Sequence, residues 1–209
     1  MLRDSRELRV LSLATVVNTV GSGLLVTSVV LYFTRFVGLS GAQVGVGLTI
    51  AGVVGLLVGV PAGHLGDRRG PREVQAALLG VQAVTVVGYL LVGSFATFLA
   101  MAVLVVASTQ ATSAVRQGLI AQVLPAERRV EGRAFLRAVT NVGFAFGAAL
   151  AGVAIVADTK LAYQALIAGD AVTFLIAAAV VLRLPHVPPH PAAPRARSSS
   201  SCATVPTSR

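Results

Sequence analysis

Gly63-His-Leu-Gly-Asp-Arg-Arg-Gly-Pro-Arg-Glu73 decides what kind of protein this chain makes. It carries nearly all the formal charge found between the N-terminal nine residues and residue 100, and a long apolar run lies on either side of it. A tight, charged, glycine-bearing turn between two runs of bilayer length is the pattern of a loop joining membrane spans. The rest of the chain agrees. Of its 209 residues 55% are hydrophobic and only 12% charged, with a mean hydropathy of +0.81, whereas soluble domains carry about a quarter charged residues. Several runs reach the roughly 18 to 20 apolar residues that cross a bilayer as helix. Lipid offers the backbone no hydrogen-bond partners, so these runs read as helices. The alternating ten-residue strands of an outer-membrane barrel are absent. The fold class is therefore all-α: a polytopic membrane protein.

Six spans are expected, at about 10–33, 43–62, 74–93, 98–120, 134–157 and 163–184, forming one transmembrane domain over residues 1–184. The first begins behind three arginines, as a signal peptide would, but it is too long for a cleavable segment and lacks a small-residue cleavage site, so it reads as retained. Tyr32, Phe33 and Phe36, with Phe95 and Phe98, are placed as interfacial anchors at the far end. Gly21 and Gly23 in the first span permit close helix approach. So do Ala51, Gly55, Gly59 and Gly63, spaced every fourth residue in the second, and Gly143 and Gly147 in the fifth. After Pro185 the composition shifts to Pro, Ser, Ala and Arg, and residues 185–209 are expected to be a disordered tail.

The net charge of +9 raises the question of nucleic acid, and its distribution argues against it. All the basic residues except Arg35 and Lys160 fall at the N-terminus, in two alternate loops with their helix ends, or in the tail. That bias puts both termini in the cytoplasm. The implied partners are the lipid bilayer and a small-molecule substrate. Every basic residue but Lys160 is arginine, and Ala, Val and Gly abound, which suggests G+C-rich coding DNA; the expected location is a bacterial cell (inner) membrane. The single cysteine, Cys202, rules out a disulfide framework or a cysteine metal site, and no cofactor is expected. No metalloprotease, serine-hydrolase or P-loop string occurs, so an enzyme has no support in the sequence.

Within the spans, four polar residues stand out as possible substrate or proton-pathway groups. Asp170 is the one carboxylate clearly inside a span, roughly 10 Å from its outer end at 1.5 Å per residue. An acid at that depth reads as functional; the competing reading is a packing acid bonded to Thr173. Asn18, Gln82 and Gln110 either meet substrate or hydrogen-bond between helices. Arg116 is expected to snorkel to the interface, and His64 to be a bystander.

Gly63-x-Leu65-x-Asp67-Arg68-x-Gly70-x-Arg72 resembles the signature loop between helices two and three of the major facilitator superfamily. Pro71 stands where that family usually has a second basic residue. The exchange is tolerable, since Gly70 can adopt a left-handed turn and Pro71 suits the first position of a helix. Glu73 also complements the positive helix end. Pro125-Ala-Glu-Arg-Arg129 with Asn141-Val-Gly-Phe-Ala-Phe-Gly147, and Gly169-Asp-Ala-Val-Thr-Phe-Leu175 with Arg183-Leu-Pro185, resemble later segments of the same half.

The resemblance implies an N-terminal six-helix half built from 3+3 inverted repeats, and secondary transport of a small solute, efflux included. It also implies a clasp role for Asp67. Two departures weigh against proton antiport: no arginine occurs at Val103–Ala107, and Gly147-Ala148 replaces a Gly-Pro. One half cannot rock against itself, so a second six-helix half or self-association is expected, the alternative being a non-transporting membrane partner subunit. With assumed G+C-favoured codons, the tail from the last base of the Ser201 codon can be read as Leu-Arg-Asp-Arg-Pro-Tyr-Leu-Ala. That string resembles an entry into a seventh helix, so the expectation is a frameshifted, truncated half.

Overall fold

A backbone in lipid must close its hydrogen bonds locally, and each apolar run of this chain does so as helix. The computed structural model describes residues 6–123 and 129–184, and helix is the only regular structure among them. The expected disordered tail and residues 125–128 of the second arginine-rich loop lie outside the described residues. Helix α1 is Arg6–Tyr32 and passes into a π-helical turn, Phe33–Val37, which ends at Gly38 with φ of 81°. Helices α2 (Gly41–Arg69) and α3 (Pro71–Gly88) follow, then a short 3-10 turn at Tyr89–Leu91. Helices α4 (Phe95–Val123), α5 (Arg129–Ala157) and α6 (Lys160–Val181) complete the bundle. All six are long and apolar enough to cross a membrane. They also outrun the apolar segments themselves. Helices α2, α4 and α5 have 29 residues each, about 43 Å at 1.5 Å per residue, longer than a hydrocarbon core of roughly 30 Å.

Local chemistry sets the ends. Ser40 and Gln43 form a reciprocal capping box at the start of α2. Thr159 accepts from the Ala162 N–H to cap α6. Between α2 and α3 there is a single residue, Gly70, at φ 93°, and Pro71 opens α3 as its first residue. Only glycine adopts such a φ without strain, and the N–H that proline lacks would have been unpaired there in any case.

Helix α2 packs along α4, and α5 packs along α1. Helix α3 lies against α4 as α6 lies against α1, and α3 and α6 meet each other. Exchanging α1–α3 with α4–α6 leaves this pattern of neighbours unchanged, as a 3+3 repeat requires. The two main seams are made by small residues. At the α1–α5 seam, a Cβ on Gly147 would stand 2.0 Å from the Val20 carbonyl oxygen, and one on Gly23 would stand 2.3 Å from that of Phe144. Gly143 packs equally close to the Thr19 hydroxyl. On α2, Gly47 meets Phe98, Ala51 is fully buried, and Gly55 meets Val106 and Gln110.

The four-residue stripe expected on α2 is corrected at Gly59, which has open space where a Cβ would point. A strict i, i+4 row drifts about 40° per step around a helix of 3.6 residues per turn. The seam therefore leaves Gly59 and resumes at Gly63, which faces Ala114, and Gly66, which packs on Val115.

The aromatic anchors are corrected as well. Tyr32, Phe33 and Phe98 are buried, not lipid-facing. Phe33 stacks edge-on with Tyr89 and Phe98, and Phe36 meets Tyr163, so the rings close the arginine-poor end of the bundle. Beside them Arg35 pairs with Asp158 at 2.5 Å, both about half exposed. In that setting solvent screens most of their attraction.

Replacing Gly147 by Val is expected to destabilise the bundle by about 3 kcal/mol or more, because a backbone carbonyl cannot move aside. Gly59→Ala is expected to be neutral, or to stabilise by up to about 1 kcal/mol through helix propensity. Thermal unfolding of the two variants in detergent checks the contrast.

Candidate functional site

A polar side chain inside a bundle in lipid must find another polar group, a backbone carbonyl or a wet cavity. Most hydroxyls here take the local route. Thr19, Ser28, Thr109 and Thr112 each donate to a carbonyl one turn back, at 2.7–2.8 Å, and so carry no site. What remains is a short set of buried polar atoms without hydrogen-bond partners among the described residues. It includes Asn18 Oδ1, Gln75 Oε1, Arg116 Nε and both carboxylate oxygens of Asp170.

Asn18 on α1, Gln75 on α3 and Arg116 on α4 line one small pocket, with Thr15 beside them and Leu11 and Leu79 as part of its apolar wall. Its volume of about 20 Å³ is room for about one water molecule. Arg116 also borders a larger cleft of about 360 Å³ between α1, α4 and α5. Arg116 is partly buried: helix α4 continues to Val123, about two further turns, and the Arg116 Nε is buried without a partner among the described residues.

The other expected polar residues lie apart from this pocket and from each other. Gln82 Nε2 donates to Thr109 Oγ1 at 2.9 Å, tying α3 to α4. Gln110 sits in the α2–α4 seam, its Cγ 3.1 Å from where a Cβ on Gly55 would be. Asp170 is wholly buried on α6 and seated over Gly21 of α1, where a Cβ would stand 2.3 Å from its Oδ1. The Thr173 hydroxyl donates to the Asp170 backbone carbonyl at 2.7 Å.

Gln75 is a member that sequence reasoning missed. It lies seven residues, two helical turns, before Gln82, and both are on the buried face of α3 with Leu79 and Val86. That register was the available signal.

The stretch Gly63–Glu73 is not a loop except at Gly70. Residues 63–69 form the last two turns of α2. Gly63 faces Ala114 and Gly66 packs on Val115, so this helix end is docked on α4. The Asp67 carboxylate lies beside Gly118, 3.6 Å from where its Cβ would be. Leu65, Asp67 and Arg68 are exposed. Arg72 turns the other way: its Nη2 donates to the carbonyl of Leu182 at the end of α6, and its Nη1 lies 3.5 Å from Glu73. A guanidinium on the last carbonyls of a helix satisfies groups that the helix itself leaves unpaired. Arg72 thereby joins the start of α3 to the end of α6, while Leu65, Asp67 and Arg68 remain exposed.

The geometry has a clear relative among solved structures. The fold is similar to that of the nucleoside transporter NupG, seen in a point-mutant crystal structure, with a TM-score of 0.73 at 15% identity over 93% of this chain. The match covers 47% of the NupG chain, so this chain spans about half its length. No match was found among curated protein sequences. Residues 11–207 match the model of the family described as Major Facilitator Superfamily. With that match across nearly the whole length and six membrane-crossing helices in the arrangement described, the chain is a multi-pass membrane protein and belongs to the Major Facilitator Superfamily.

Proposed function

We propose that this six-helix unit takes part in secondary transport of a small solute across a bacterial cell membrane, working against a second six-helix unit. The observation that carries the reading is the family match over residues 11–207 on a fold that overlies about half of a known transporter. In such proteins the solute path runs between two halves, which rock about it. The arrangement of polar groups is consistent with this. Asn18, Gln82, Gln110 and Asp170 do not converge on one enclosed site within the unit, so a substrate cavity needs walls from elsewhere.

Helices α2 and α5 are suited to meet that second unit. They are the least covered of the six, with 22% of each central segment buried, against 39–50% for the others. The arginine-rich end, where α1 starts and α6 finishes, is the cytoplasmic one in this proposal. There Asp67 and Arg68 stand exposed on the last turn of α2, available to latch the second unit in one state and release it in the other. The second unit is either a further six-helix segment or a second copy of this chain.

Reconstitution tests the reading. Uptake or release of solute by the chain paired with a second half is the expected result. Flux with this chain alone would identify a dimeric half-size transporter. No flux in either arrangement would overturn transport and leave a non-transporting partner subunit.

Asp67→Asn is expected to cut flux by roughly 5- to 150-fold, the range of a coupling of about 1–3 kcal/mol between states, with membrane insertion unchanged. Wild-type flux would remove the clasp role. Asp170→Asn, nearly isosteric, is expected to alter the pH profile of flux; an unchanged profile would assign the residue to helix packing.

A further inference from the structure

Helices α4 and α5 follow each other in the chain but make little contact. At the arginine-rich end they part, and the space between them and α1 is the cleft of about 360 Å³. Its polar lining is Arg116 and Gln117 from α4, Arg133, Arg137 and Thr140 from α5, and Thr15 from α1. Among the described residues none that lines it is acidic. Glu131, two residues before Arg133, does not reach it, and Asp170 is elsewhere, against Gly21 on the α1–α6 seam.

Arginines at the ends of spans are the ordinary mark of topology and extend into the headgroup layer. Three features set this group apart. Arg133 and Arg137 are one helical turn apart, so they share a face of α5, and that face looks across the cleft at Arg116. Arg116 is not at a helix end, and its Nε is buried without a partner among the described residues. Its inner neighbours in the small pocket are amides, Asn18 and Gln75, and neither brings a compensating charge. A cation withdrawn from water is costly until an anion pairs with it. Guanidinium groups present planar forks that match the two oxygens of a carboxylate or phosphate. The volume lies within the range of small-ligand sites.

We propose that this cleft binds an oxyanion, a carboxylate or phosphate group, with Arg133 and Arg137 receiving it at the mouth and Arg116 holding it within. The assignment of that anion as part of the cargo rests on the transport reading above; the binding site itself does not.

The test uses the full chain in phosphatidylcholine nanodiscs at constant ionic strength, titrated with inorganic phosphate and separately with succinate. Isothermal titration and the thermal midpoint are the readouts. Saturable binding of at least one probe is expected. The double variant Arg133→Gln/Arg137→Gln, both residues exposed, should fold normally and bind at least tenfold more weakly. Arg116→Lys, which keeps the charge and loses the fork, should also weaken binding.

Repeating the titration with phosphatidylglycerol in the disc separates the sources of the anion. Competition by the lipid supports the site with a headgroup as its oxyanion, and binding unaffected by the lipid supports a free solute. The proposal is overturned if neither probe saturates in phosphatidylcholine discs, or if the double variant binds as tightly as the wild type. A chain that binds phosphate but gives no flux in any pairing would overturn the transport reading and leave this site standing.

Discussion

The contact on which the bundle depends is backbone against backbone at Gly23 and Gly147, where α1 and α5 approach more closely than any side chain would allow. In lipid, apolar helix faces gain nothing by leaving the solvent, because lipid tails are as apolar as leucine. Association rests instead on close packing and a few polar bonds. Glycine is what lets the two backbones meet. The α2–α4 seam at Gly47, Ala51 and Gly55, the counterpart of the first when the two three-helix repeats are exchanged, is likewise made by small residues. These seams fix α1 and α4, and with them the polar residues of the inner pocket. Asn18 rides on a helix held by α5, and Arg116 on one held by α2. The cleft between α4 and α5 exists because each packs on a different partner.

The charged stretch after α2 gains a more specific meaning from this packing. As a loop it would be a solvated connector whose residues could each be exchanged cheaply. As the docked end of a helix it is divided by direction. Gly63 and Gly66 hold α2 on α4, Gly70 reverses the chain, and Arg72 binds the end of α6. His64, Leu65, Asp67, Arg68 and Arg69 are left exposed. A conformational latch needs this division, with one side rigidly tied to its own half and the other free to engage what lies opposite.

The polar residues show the limits of one-dimensional pattern. Asn18, Gln82, Gln110 and Asp170 stood out because amides and acids are rare in apolar runs. Rarity says nothing about which of them meet. Gln82 found Thr109, Gln110 fell into a packing seam, and Asp170 came to rest over a glycine. Gln75 lay too near the charged stretch to stand out, yet it is buried beside Asn18 and Arg116. The aromatic residues were misjudged for the same reason. An aromatic ring near the end of a span suits the interface or a core, and only its neighbours decide between them.

The sequence by itself determined the solvent, the secondary structure, the number of helices and the family. Each follows from local quantities: the length of apolar runs, the sign of flanking charges, and the glycine and proline at the α2–α3 junction. The tertiary structure alone decided which small residues form the seams, that the aromatics close the arginine-poor end, and that three arginines from two helices share one cleft. Those outcomes depend on the azimuth of each helix about its axis. Because 3.6 residues per turn makes a four-residue stripe drift, the azimuth is set by the packing partner and not by the stripe.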